Sequence, residues 1–90
     1  MTISKTAADG TRYQLRGPAD APVVALIHGL GLNRQIWVDF EATLESRYRV
    51  LSYDLYGHGE SAAPPQKPSV TVYSEQLIGL MDELVSEMQK

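Results

Sequence analysis

"VVALIHGLGLNRQIW", residues 23–37, carries five apolar residues into a His-Gly pair and a second glycine, and then into a stretch with helical spacing. The run Val23 to Ile27 is wholly apolar and rich in β-branched residues, the composition of a strand buried on both faces of a sheet. After the glycines, Ile36, Trp37, Phe40 and Leu44 recur at helical spacing, and the helix is expected to stop near Arg47. "RVLSYD", residues 49–54, then reads as a second buried strand. A strand, a crossover helix and another strand favour a parallel sheet with helices on both faces, hence an α/β fold. Ligands of such sheets gather at the carboxyl ends of the strands. Both glycine loops fall there: His28-Gly29-Leu30-Gly31 after the first strand, and Asp54-Leu55-Tyr56-Gly57-His58-Gly59-Glu60-Ser61 after the second.

Upstream, "TISKTAADGTRYQLRG" predicts two short strands joined by Asp9-Gly10, a dipeptide favoured where both central turn residues need positive φ. Pro18 and Pro22 separate this hairpin from the first apolar strand. Downstream, Pro64, Pro65 and Pro68 mark a loop. A last helix is expected from Ser74 as its N-cap, with Leu77, Met81, Leu84, Val85 and Met88 on one face and Asp82, Glu83, Glu87 and Lys90 solvated. The expected segments are a hairpin over 1–17, a strand-helix-strand unit over 22–61 and a helix over 73–90.

A chain of 90 residues with 43% hydrophobic composition makes one small globular domain over 1–90, and so small a domain buries a modest share of its surface. It has no cysteine, which excludes disulfide staples and thiolate zinc sites and suits a reducing compartment. A net charge of -3 with scattered basic residues offers no patch for nucleic acid or an anionic membrane. "MTISKTAADG" lacks the parts of a signal peptide, and no run approaches the roughly 20 apolar residues that span a bilayer. A cytoplasmic chain with neither nucleic-acid nor membrane partners is expected.

"LIHGLGLNRQIW" followed by "YDLYGHGES" resembles the first third of an α/β-hydrolase of the esterase, lactonase and carbon–carbon hydrolase type, over nearly the whole chain from Pro22 to Lys90. The resemblance implies a small ester- or lactone-like substrate, a serine nucleophile and no cofactor or metal. It also implies that the backbone N–H of Leu30 donates to the oxyanion, with Gly29 and Gly31 permitting the turn. His28 would brace that turn, Trp37 would form core or pocket wall, and Asp54, Gly57, His58 and Gly59 would shape the second loop. Dehalogenases and epoxide hydrolases of the fold use an aspartate nucleophile and commonly place a proline where this chain has Gly31, which favours the serine branch.

The family's nucleophile sits in Gly-x-Ser-x-Gly between a strand and a helix, with acid and histidine later in the chain. The sequence is expected to stop before that elbow, so the chain alone is expected to be inactive. Ser61 in "GESAA" follows a glycine turn and runs into prolines, which disqualifies it as nucleophile; His28 and His58 belong to loop motifs and not to a base, and Asp54 reads as an anchor for its loop. An apolar sheet edge would remain open beside "VVALI", to be filled by the missing C-terminal portion or by self-association. Tyr48, Tyr53 and Tyr56 are expected to pack on the sheet, with Tyr56 also placed to face a substrate.

Three other functions fit parts of the pattern. A dinucleotide-binding unit would use Gly29-Leu30-Gly31 and Asp54, but Arg34 stands where a third glycine is needed. A metal site from His28, Asp54 and His58 lacks local ligand spacing. A noncatalytic interaction or complementation module would use the open strand edge itself.

Overall fold

The computed structural model describes residues 2–88, the Met88 side chain apart. In chain order it contains β1 (Thr2–Thr6), β2 (Arg12–Arg16), β3 (Val23–Ile27), a 3-10 turn (Arg34–Trp37), α1 (Val38–Leu44), β4 (Arg49–Tyr53) and α2 (Val70–Met88). The strands form one sheet in the order β1-β2-β4-β3. β3 and β4 are parallel, as strand-helix-strand requires, while β2 pairs antiparallel with both β1 and β4. β4 therefore has a neighbour on each side, and Val50, Leu51, Ser52 and Tyr53 are all buried.

Alternation along β2 assigns the two faces. Tyr13 and Leu15 point to the side covered by α2, opposite Tyr53 and Leu51 of β4. They join Ala7, Leu55 and Leu80 in the core, against which Ile3, Tyr73, Leu77, Met81 and Leu84 pack. Gln14 and Arg16 point to the other side, where α1 lies. Arg16 donates to Glu45 at 2.9 Å, and to Glu41 and the Val38 carbonyl at 3.3 Å.

That polar floor explains a departure from the expected helix. Glu41 is only 2% exposed, while Ile36 and Phe40, two of the apolar residues at helical spacing, are about half exposed. A carboxylate is the group that can be buried over Arg16 and Gln14, because a buried charge needs a paired partner. Trp37 and Leu44 are half-buried.

Four further expectations are corrected. "VVALI" is not buried on both faces: only Leu26 is buried, and Val23 and Ile27 are each 46% exposed, because β3 is an edge strand paired on one side. The hairpin is not closed by a two-residue turn. Asp9 keeps negative φ, and a four-residue turn from Ala7 to Gly10 puts only Gly10 at positive φ. α2 starts at Val70 and not near residue 73, since the Ser69 hydroxyl accepts the Val72 N–H at 3.1 Å and caps the helix ahead of Ser74. On α2, Val85 is 49% exposed, while the Met88 side chain and residues 89–90 lie outside the described residues. Among the described residues, no helix is long and apolar enough to cross a membrane.

Candidate functional site

Because β3 and β4 run parallel, the loops after Ile27 and after Tyr53 emerge at the same end of the sheet. Two histidines tie them together. The Leu55 N–H donates to His28 Nε2 at 2.9 Å, so the His28 proton sits on Nδ1, which donates to the Gly29 carbonyl at 2.7 Å. His58 repeats the pattern in reverse: the Gly31 N–H donates to its Nε2 and its Nδ1 faces the Tyr56 carbonyl, both at 3.0 Å. The two rings lie 5.2 Å apart, tilted by 53°. Each imidazole has both nitrogens engaged, which leaves neither one free to take a proton from a nucleophile or to bind a metal.

Asp54, fully buried, holds the rest of the arrangement. Its Oδ1 accepts the Arg34 N–H at 2.7 Å, and its Oδ2 pairs with the Arg34 guanidinium and accepts the Glu60 N–H at 3.0 Å. Arg34, also buried, reaches Glu60 Oε1 with its other terminal nitrogen at 2.7 Å. Burial opposes the guanidinium charge, but the hydrogen bonds and charges of Glu60 and Asp54 outweigh it and raise the Arg34 pKa. The Arg34 hydrogen bond and charge in turn hold the exposed Glu60 carboxyl below the usual carboxylate range.

The second loop folds on Asp54. Gly59 has φ +49, and a Cβ there would run into the Asp54 carboxylate, so this position needs glycine for both reasons. The Ser61 hydroxyl donates to the Asp54 carbonyl at 2.6 Å and accepts the Arg12 N–H at 2.9 Å, so it is bound into the backbone of the hairpin. The Gly57 N–H closes the loop onto the Ala62 carbonyl at 2.8 Å. Tyr56 does not face a substrate: it is buried, and its hydroxyl donates to Asp9 at 2.6 Å. Tyr53 packs in the core as expected, whereas Tyr48 is 36% exposed.

The first loop presents the opposite situation. The Leu30 side chain is 72% exposed, and Gly31 takes φ +83. The Leu32 N–H returns to the Gly29 carbonyl at 3.1 Å, and the Gly31 N–H is taken by His58. Between them the Leu30 N–H donates to no acceptor among the described residues. Trp37 and Phe40 meet with ring centroids 5.9 Å apart and planes tilted by 46°. An open apolar cleft lined by Ile27, Tyr53, Leu55, Val70, Tyr73 and Leu77 lies beside the β3 edge.

Arg34, Glu60 and Gln76 were not singled out as site residues from the sequence. Gln76, 1% exposed, accepts the Tyr56 N–H at 3.0 Å and donates to Thr11 Oγ1 and the Asp54 carbonyl at 3.1 Å. Its signal was a polar residue between Val72 and Leu80 at four-residue spacing, on what becomes the buried stripe of α2. For Arg34 the signal was a bulky charge within a glycine loop, with two carboxylates waiting in the other loop.

Fold and loop arrangement together define a hydrolase scaffold. A family model described as the alpha/beta hydrolase family matches residues 24–89, and the chain belongs to that family. It is 32% identical over 71 residues to 3-oxoadipate enol-lactonase 1 of Acinetobacter baylyi, covering 79% of this chain and 26% of the relative. Among solved structures it is similar to the enol-lactonase from Burkholderia xenovorans, with a TM-score of 0.79 and 34% identity over 91% of this chain and 33% of the other. A haloalkane dehalogenase loop variant from Bradyrhizobium elkanii superposes with a TM-score of 0.80 and 25% identity, covering 93% of this chain and 28% of the other. The chain spans about a quarter of the length of the curated relatives it matches.

Proposed function

We propose that this chain supplies the N-terminal part of a serine-type α/β-hydrolase that acts on an ester, lactone or related small carbonyl substrate. Its contribution is one oxyanion-hole donor, the backbone N–H of Leu30. The observation that carries this assignment is that N–H itself, without an acceptor among the described residues, in a tight turn at the carboxyl end of a parallel strand. When a nucleophile adds to a carbonyl carbon, the π electron pair moves to oxygen, and a preorganised donor stabilises the charge that develops there. The likeness to two enol-lactonases supports a lactone-type substrate. His28, Gly29 and Gly31 shape the turn, and Asp54, Gly57, His58 and Gly59 shape the loop that holds it.

Ser61, His28 and His58 are engaged in structural hydrogen bonds, so the nucleophile and its base would come from another segment. The test is hydrolysis of a short-chain p-nitrophenyl ester by the 90-residue chain, alone and mixed with a C-terminal α/β-hydrolase fragment carrying a nucleophile elbow. Turnover only on mixing is the expected result; turnover by the chain alone would reject the assignment.

A second function, an interaction or complementation module, is favoured by one observation. Among the described residues β3 is paired on one side only, and Val23, Ala25 and Ile27 are exposed beside it. The dinucleotide alternative would need Asp54 free for a ribose hydroxyl, and that carboxylate is buried against Arg34.

A further inference from the structure

We propose that His28 and His58 form a reciprocal clasp that fixes the two successive peptide planes of the 29–31 turn, so that both are positioning residues for the Leu30 N–H. The inference rests on the oxyanion role proposed above for that group.

A peptide unit is planar and trans, so fixing its carbonyl oxygen fixes the direction of its N–H. The Leu30 N–H shares its peptide unit with the Gly29 carbonyl, and that oxygen accepts from His28 Nδ1 at 2.7 Å and from the Leu32 N–H at 3.1 Å. The next unit carries the Gly31 N–H, held by His58 Nε2 at 3.0 Å. Rotation of either plane would break at least one of these bonds. The Leu30 N–H is thus held pointing away from the turn by groups on both sides of it.

Each imidazole spans the two loops across 27 residues of chain, one from each direction: His28 to Leu55, and His58 to Gly31. A ring that accepts at Nε2 while facing a carbonyl with Nδ1 must be neutral and carry its proton on Nδ1. The clasp therefore demands the same tautomer of both histidines. A lysine or arginine offers no acceptor, and a leucine would fill the space but leave the Gly31 N–H unpaired.

The test uses the uniformly 15N-labelled 90-residue chain. Long-range 1H–15N spectra at neutral pH are expected to show both histidines as the neutral Nδ1–H form. Amide exchange is then compared in His58→Leu and His58→Gln, the glutamine having an acceptor oxygen near the place of Nε2. His58→Leu is expected to speed exchange at Gly31 about tenfold, the scale of one lost hydrogen bond, with Leu51 in the core unchanged. His58→Gln is expected to return Gly31 to within about threefold of the parent, a rescue that loss of packing alone would not produce. An Nε2–H or cationic His58 in the parent chain would overturn the clasp, as would Gly31 exchange unmoved by His58→Leu. If His58→Leu does not fold, the parent tautomers and the glutamine variant still decide. None of these readouts needs turnover, so the clasp and the oxyanion role can fail separately.

Discussion

At the scale of the residue, the site is organised by a buried charge. Asp54 satisfies the Arg34 backbone, the Arg34 guanidinium and the Glu60 backbone at once, and Arg34 is only 7% exposed. Asp54→Ala leaves that guanidinium buried with only the exposed Glu60 as partner. We expect a loss of about 3–5 kcal/mol in urea unfolding, the range for breaking a buried ion pair from one side. Gly59→Ala attacks the same carboxylate by a different route, adding a Cβ where Asp54 already lies and asking alanine to take a positive φ. Its expected cost is about 2 kcal/mol or more, read from the same unfolding curve. A Gly59→Ala protein as stable as the parent would show that the loop can move off Asp54.

At the scale of the element, α2 joins the hairpin to the second loop through one side chain. Gln76→Leu keeps the volume but strands the Tyr56 N–H and the Thr11 hydroxyl inside the protein. A loss of about 2–3 kcal/mol is expected on chemical denaturation, more than an exposed glutamine could contribute. Two buried tyrosines, at the end of β4 and in the loop after it, predict the behaviour in alkali. Burial pushes Tyr53 up to about 12, and burial together with the Asp9 carboxylate does the same to Tyr56, from an ordinary value of 10.0. Folded values above the unfolded one stabilise fully below pH 10 and are lost as pH rises towards 12. Phenolate absorbance of these two residues should therefore appear together with loss of circular dichroism in that window; titration well before unfolding would contradict their burial.

The elements were legible in the sequence to different degrees, for physical reasons. β4 was read correctly, because "RVLSYD" sits at the sheet centre, where local apolar pattern and tertiary burial agree. The same logic overstated β3, since an apolar run does not reveal whether a strand has one neighbour or two. α1 misled through its apolar spacing: Ile36 and Phe40 keep a helical period, yet the sheet beneath α1 presents Arg16 and buries Glu41. The glycine loops were found by motif, but the bonds of Arg34 to Asp54 and Glu60, and those of Gln76 to Tyr56 and Asp54, join residues at least 20 positions apart, beyond any local pattern.

At the scale of the molecule, β3 is the exposed element that matters. Val23, Ala25 and Ile27 line an edge with an unpaired backbone, next to the cleft between Ile27 and α2. Such an edge recruits strands, and a charge on it discourages pairing. Ile27→Lys is expected to lower self-association of the purified chain in sedimentation velocity without changing its circular dichroism; equal association of parent and variant would place the contact elsewhere. Under the proposed function, this edge would receive the segment that carries the nucleophile.

That N–H is the centre of the account, and removing it while keeping the residue apolar tests it most directly. The measurement is kcat for ester hydrolysis by a chimaera joining this chain to the remainder of the Acinetobacter enol-lactonase, with Leu30→Pro compared against Leu30→Ala. Leu30→Ala, which keeps the N–H, is expected to stay within about threefold of the parent, and Leu30→Pro, which lacks it, to fall about 100- to 1000-fold. A folded Leu30→Pro chimaera with the kcat of Leu30→Ala would contradict the oxyanion role.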